Sequence, residues 1–291
     1  MGFRITEEDV RNYRELGYHV IRGVIPASLL HDLRREARKA RDVAYRLSGP
    51  QAQRLQPLKD HAGEFDLRVF QRFNAIEGLA EAVQALTSPR HQLRPMEDSC
   101  LLLQPRDRPW STEWHHDWRD HVLDADFHAL VGEARWQEIG NNPDFFNQVN
   151  CPLFEDTSTW YVPGSHRRLR NSPAETAVFR STTQEELRDE AGQRSNEELE
   201  LFCLRYCQAM PGAVQLMLSP GDFLLYRNIG WHIGNYVPYR ERLTLHTQAM
   251  TPEFQAFREK FAHLLKPREA SIERHAKRGA VESGEVKVES L

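Results

Sequence analysis

Residues 213–226 read Ala213-Val214-Gln215-Leu216-Met217-Leu218-Ser219-Pro220-Gly221-Asp222-Phe223-Leu224-Leu225-Tyr226. Two short apolar runs flank a Ser-Pro-Gly-Asp turn. Each run is too short for a buried helix, and Pro-Gly stops both helix and strand, so the segment reads as strand, turn, strand. The same texture recurs between Asp98 and Met250. Cys100-Leu101-Leu102-Leu103 is one such run, Trp160-Tyr161-Val162 runs into Pro163-Gly164, and Arg242-Leu243-Thr244-Leu245-His246 closes the series. Many short strands separated by Gly/Pro turns predict an antiparallel sandwich or barrel.

Outward from this region the pattern is helical. Thr6 is placed to cap a first helix whose first turn carries Glu7, Glu8 and Asp9, and Gly17 ends it. Tyr18 to Ile25 has the β-branched content of a strand. Pro26 then opens a helix with Leu29, Leu30, Leu33 and Ala37 at helical spacing. Residues 48–66 read as a polar loop and 67–90 as helix. Helical-looking insertions at 120–147 and 183–209 interrupt the β region, and 252–265 forms a last helix. No repeat or linker divides the chain. We expect one domain over 1–266, with a helical part at 5–90, a β core at 98–250 and a charged, flexible tail at 267–291.

Bulk properties exclude several classes. The 291 residues are 40% hydrophobic and 27% charged, with a formal net charge of −4, which leaves no footprint for nucleic acid or an anionic membrane. No run approaches the roughly 18 apolar residues of a membrane helix, and the start lacks the basic and apolar segments of a signal peptide. Gly2 with Thr6 is a weak myristoylation signal without a second anchor. Cys100, Cys151, Cys203 and Cys207 include no second pair to complete a zinc site, so they read as buried reduced thiols. A cytoplasmic protein is expected. Nothing in the residues sets an oligomeric state.

The chemistry concentrates at Trp114-His115-His116-Asp117-Trp118. On a strand, residues i and i+2 share a face, so His115 and Asp117 project together and His116 points away. With a distant histidine they make the two-histidine, one-carboxylate set that leaves open positions on iron(II). The spacing alone carries almost no weight. With 13 His and 42 acidic residues in 291, chance gives about two His-x-acid pairs. Two further elements add weight. Gly230-Trp231-His232-Ile233-Gly234-Asn235 supplies His232. Tyr239 to His246 puts Arg240, Arg242, Thr244 and His246 on one strand face, and unpaired arginines there need an anionic partner, for which a dicarboxylate is suited.

Together these pieces resemble the phytanoyl-CoA dioxygenase family. The opening 5–45, the Trp114–Trp118 segment, Thr159-Trp160-Tyr161-Val162-Pro163-Gly164-Ser165-His166-Arg167, and Pro220-Gly221-Asp222 through His232 carry the resemblance over about residues 5–250. It implies a mainly β fold with peripheral helices, built on a double-stranded β-helix (jelly-roll, cupin-like) core. It implies iron(II) on His115, Asp117 and His232, with 2-oxoglutarate as cosubstrate and dioxygen as oxidant. Arg242, in Arg-Leu-Thr, is favoured to hold the far carboxylate of 2-oxoglutarate. Arg240 is the alternative, and Thr244, Gln104 and Asn150 are further contacts suggested by family position. The gap from His232 to the arginine is shorter than usual, and Asp156-Thr157-Ser158 replaces the family's acidic-Asn-Gly turn. Asp117 argues against halogenation, which needs a small residue there.

The expected activity is hydroxylation of a small molecule at a C–H bond. Desaturation, epimerisation and ring formation are alternatives in the same metal class. A jelly-roll binding protein without turnover is an alternative from another class, and a zinc or manganese cupin isomerase would need more histidines. His166 is expected to be structural, His116 to be packed or at the surface, and His121 and His128 to be solvated. His246 is a candidate for the pocket wall. The tryptophans read mostly as core or rim, and the two insertions as lid and specificity walls.

Overall fold

A computed structural model describes residues 2–265; the expected tail at 267–291 lies outside the described residues. The N-terminal reading holds closely. Helix α1 (Glu7–Leu16) begins at Thr6, whose hydroxyl and backbone exchange hydrogen bonds with Asp9, and it ends at Gly17 with φ 85°. Strand β1 (Tyr18–Ile21) is shorter than predicted because Arg22 and Gly23 turn to bond the Asp222 carboxylate. Helix α2 (Ala27–Ser48) follows. The 48–66 loop contains the short strand β2 (Arg54–Leu55). The expected helix at 67–90 is two, α3 (Leu67–Asn74) and α4 (Leu79–Leu86), broken before Gly78, which adopts φ 77°.

The strands that follow are β3 (Gln92–Leu93), β4 (Cys100–Leu103), β5 (Trp110–Ser111), β6 (Asn147–Pro152), β7 (Thr159–Tyr161), β8 (Val214–Gln215), β9 (Phe223–Arg227), β10 (His232–Tyr236) and β11 (Leu243–Met250). Between and after them lie α5 (Asp124–Leu130), α6 (Glu133–Asn141), α7 (Pro173–Arg180), α8 (Gln184–Arg188), α9 (Asn196–Ala209) and α10 (Pro252–Lys260). The strands form two antiparallel sheets. One runs β1-β9-β6-β11-β4-β2 with β3 also on β11; the other runs β5-β10-β7-β8. Helix outweighs strand by residue, 44% against 18%, because long helices cover the outer faces of both sheets.

Alternation decides what each face does. In the larger sheet Leu101, Leu103, Val149, Cys151, Phe223, Leu225, Leu243 and Leu245 point outward into a core shared with α2, α3 and α4. Their neighbours Leu102, Gln148, Asn150, Tyr226, Arg242 and His246 point inward and line a cavity. Tyr161 of β7 packs on Leu224 and Tyr226 of β9, so the two sheets face one another. On the outer face of the smaller sheet, Trp114, Trp160, Trp231 and Ile233 pack against Leu199, Cys203, Tyr206 and Cys207 of α9. The 183–209 insertion is therefore a buttress behind that sheet, and none of its residues lines the cavity, contrary to the expectation of a specificity wall. The four cysteines are buried and unpaired, and burial raises their thiols, Cys100 to about 11 and Cys203 to about 12. No helix among the described residues is long and apolar enough to cross a membrane.

Candidate metal centre

His115, Asp117 and His232 meet in the cavity between the sheets, with one ligand atom from each lying within 4.8 Å of the others. The Asp117 carboxylate stands 3.8 Å from His115 Nε2 and 3.9 Å from His232 Nε2. No other grouping of His, Cys, Asp and Glu among the described residues is arranged to hold a metal.

The backbone brings them together differently from the predicted strand. Only His115 pairs as a strand residue, exchanging both backbone hydrogen bonds with His232. Asp117 N–H donates to the Asn228 carbonyl at 2.8 Å. Trp118 then takes φ 57° and ψ −60°, and Arg119 N–H closes back on the Asp117 carbonyl at 2.6 Å. This is a three-residue turn with positive φ at its centre, a strained geometry for a bulky side chain. The Trp118 ring offsets that strain by packing on Trp136, Phe146, Phe257 and Phe261. The 120–147 insertion thus anchors the residue after a candidate ligand, as well as supplying Asp120 and His121 to the cavity wall.

Hydrogen bonds set the histidine tautomers. His115 Nδ1 donates to the Glu113 carbonyl at 2.8 Å and His232 Nδ1 to the Gly230 carbonyl at 3.0 Å. Each uses the carbonyl two residues upstream, and each leaves an Nε2 lone pair facing Asp117. Asn228 Nδ2 donates to Asp117 Oδ2 at 2.7 Å. Burial pushes the Asp117 carboxyl up, but the two histidines, when they carry their protons in the metal-free site, and Asn228 outweigh it and hold it below the usual carboxylate range. Asn228 escaped the sequence reading. Its only signal was its place between the β9 run and His232.

The cavity has a volume of about 290 Å³. Arg242, on its inner wall, is 6% exposed. Its Nε donates to Asp156 Oδ2 at 2.9 Å, and its guanidinium lies 4.9 Å from the Tyr236 ring centroid. Asp156 is itself buried and also accepts from Thr244 Oγ1, Ser158 N and Ser158 Oγ. Arg242 Nη1 is buried with no hydrogen-bond partner among the described residues. A buried guanidinium with an unmet donor, beside a three-ligand metal set, fits an anionic ligand that also reaches the metal.

The remaining candidates fall elsewhere. Arg240 sits in the turn before β11 rather than on its face, is exposed, and donates to Thr157 Oγ1. Thr244 is spent on Asp156. Gln104 does not line the cavity, since its side-chain oxygen accepts from Arg242 N–H at 3.0 Å and so clamps that residue's backbone. Asn150 does line it, within a polar floor. There Tyr226 Oη donates to Gln148, Gln148 Nε2 to His246 Nε2, His246 Nδ1 to Asn150 Oδ1, and Asn150 Nδ2 to Thr159 Oγ1. Burial, with Arg54 and Arg242 nearby, pushes His246 down to about 3, so it stays neutral and fits this relay. His166 is structural, bonding the Arg14 carbonyl. His116 is packed on Trp231. His128 is exposed, whereas His121, expected to be solvated, lines the cavity.

No family model matches the chain, and no curated protein matches it. Solved structures do. HygX from Streptomyces hygroscopicus, with nickel and 2-oxoglutarate bound, is 17% identical over 86% of this chain and 88% of its own, with a TM-score of 0.54. The non-heme alpha ketoglutarate dependent epimerase SnoN from nogalamycin biosynthesis is 16% identical over 84% of this chain and 80% of its own, with a TM-score of 0.51. The carbocyclase SnoK, from the same biosynthesis, is 15% identical over 85% of each chain, also with a TM-score of 0.51. The chain thus shares its fold with non-heme, 2-oxoglutarate-dependent enzymes, and within that fold it carries a His-Asp-His set.

Proposed function

We propose that this protein is an iron(II)- and 2-oxoglutarate-dependent oxygenase that hydroxylates a small molecule at a C–H bond. The reading takes 1–266 as one catalytic domain of the phytanoyl-CoA dioxygenase kind, with a double-stranded β-helix core, working in the cytoplasm. One observation carries it. The cavity that holds His115, Asp117 and His232 also holds the unmet Nη1 donor of Arg242.

In this reading His115 Nε2, His232 Nε2 and an Asp117 oxygen hold the metal, and Arg242 holds the remote carboxylate of 2-oxoglutarate, with Asn150 as a second contact. When bound, iron with 2-oxoglutarate and dioxygen supplies the oxidising power, and the cosubstrate leaves as succinate and carbon dioxide. The chain's own residues supply geometry. The Glu113 and Gly230 carbonyls keep the imidazole protons away from the metal side. Asn228 holds one Asp117 oxygen so that the other faces the histidines. Asp156 keeps the Arg242 fork aimed inward. Leu102 and Phe179 add apolar surface to the cavity wall.

The neighbours favour a second reading within the same class. SnoN is an epimerase and SnoK a carbocyclase, so this scaffold supports outcomes other than hydroxylation. The test is anaerobic iron(II) and 2-oxoglutarate titration, followed by succinate release in air. Binding of both with succinate formation supports the oxygenase. Binding of neither sinks it in favour of a jelly-roll binding protein without turnover. Incorporation of labelled oxygen into a product then separates hydroxylation from epimerisation, desaturation or ring closure.

A further inference from the structure

A second cavity, of about 590 Å³, lies farther along β11, lined by Leu93, Arg94, Trp118, Met250, Arg258 and Glu259 among others. Both of its arginines bond Gln248, Arg94 through its backbone and Arg258 through its guanidinium. The Arg94 backbone N–H donates to the Gln248 carbonyl at 2.9 Å, and its own carbonyl accepts from Asn74 Nδ2 and Thr247 Oγ1. Arg258 Nη1 donates to Gln248 Oε1 at 2.7 Å. Helix α10, which carries Arg258, is capped by Thr251 and anchored by buried Phe254 and Phe257.

Neither guanidinium has an ion pair among the described residues. Glu259 also lines the cavity, but it is exposed and its Oε1 accepts from Gln255. Two cations facing one space against a single exposed carboxylate leave an excess positive charge. Burial and the nearby Arg94 both push the Arg258 guanidinium down, and Asp117 only partly opposes them. An anion between the arginines would relieve that repulsion and fill their remaining donors. Gln92, Thr251 and Gln255 add polar surface, but Leu93, Pro95, Trp118, Met250 and Pro252 give the rest of the wall an apolar character, so the fitting anion carries an organic body.

We propose that Arg94 and Arg258 form a second anion site, which takes the carboxylate or phosphate group of a small organic molecule and seats its body against Trp118. The site is separate from the Arg242 cavity, and its existence does not depend on the oxygenase reading.

The test is calorimetric titration of the full chain, without iron, using benzoate and phenyl phosphate as probes. Saturable binding with a Kd near 1 mM is expected for at least one. The comparison of the two tells carboxylate from phosphate preference. Arg94→Ala/Arg258→Ala should weaken that binding by about tenfold or more, while Arg242→Met leaves it unchanged. The Arg94 main-chain bonds survive its substitution, and circular dichroism checks the fold of each variant. Absence of saturable binding to the wild type overturns the proposal. So does loss on Arg242→Met instead, which would place the probe in the first cavity, or unchanged binding to the double variant. Failure of iron to bind in the separate titration above would leave this result standing.

Discussion

Arg242→Met isolates what the buried Arg242–Asp156 pair does. The substitution keeps the length and apolar stem of the side chain and removes the guanidinium. Asp156 would keep three of its four hydrogen bonds, from Ser158 N at 2.9 Å, Ser158 Oγ at 2.5 Å and Thr244 Oγ1 at 2.7 Å. It would lose the only ion-pair partner it has among the described residues. Breaking a buried pair by removing one partner costs about 3–5 kcal/mol, and the retained bonds place this case near 3 kcal/mol. For a domain of this size that is a fall in Tm of roughly 6–12 °C. Adding Asp156→Asn removes the stranded charge. Its amide oxygen still accepts from Ser158, and its NH2 donates to Thr244 Oγ1, so about 2 kcal/mol should return.

Binding of 2-oxoglutarate should not return. Both Arg242→Met and the double variant lack the charged donor, and about 100-fold weaker binding is expected in each from the loss of charge-assisted hydrogen bonds. The pH dependence has a defined sign. Burial pushes the Asp156 carboxyl up, but Arg242 and the Ser158 and Thr244 donors more than offset that, so it sits below the usual range. Such a group contributes stability that is present above its unfolded value and lost as pH falls through its folded one. In Arg242→Met the guanidinium no longer offsets burial, so the stability gap to wild type should narrow as pH falls toward about 4, the ordinary carboxyl range. Denaturant unfolding and anaerobic 2-oxoglutarate titration measure the two effects separately. Wild-type affinity for 2-oxoglutarate in Arg242→Met would refute the anchor, and a double variant as unstable as the single one would refute the stranded-charge argument.

Asn228→Ala removes the donor that fixes Asp117 Oδ2; iron(II) affinity should fall by about tenfold with little change in Tm, since outer contacts to metal ligands typically have effects of that size. Trp118→Ala strips the aromatic anchor from the strained turn, and should lower both Tm and iron affinity, whereas Trp118→Phe keeps most of both; equal iron affinity in all three proteins would remove Trp118 from the argument. Burial, with Arg227 nearby, pushes His166 down to about 3 from 6.5. The unfolded chain therefore binds a proton that the folded chain excludes, and stability should fall as pH drops from 6.5 toward 3, by up to about 1.4 kcal/mol per unit from this residue. His166→Gln should flatten that slope by about one proton in unfolding measured across pH 4.5 to 7.

What the sequence made legible follows from periodicity. A period of two predicted that Arg242, Thr244 and His246 share a face, and they do, because β11 is regular from Leu243 to Met250. The same rule failed for Arg240, which precedes the strand in a turn that obeys no period. It succeeded for His115 and Asp117 by a different route. They meet through one bridge to His232, a bond to Asn228 and the turn at Trp118, and positive φ at a tryptophan has no sequence signature. Long-range partners were invisible for a related reason. Asp156 lies 86 residues from Arg242, and Gln104 lies 138. Both were noticed by family position, Gln104 as a ligand contact and the Asp156 turn as a departure. Their fit here is to Arg242 itself, one holding its backbone and the other its guanidinium. Two separate segments thus position one side chain, so changes at Gln104 or Asp156 should register in 2-oxoglutarate affinity although neither would touch the molecule.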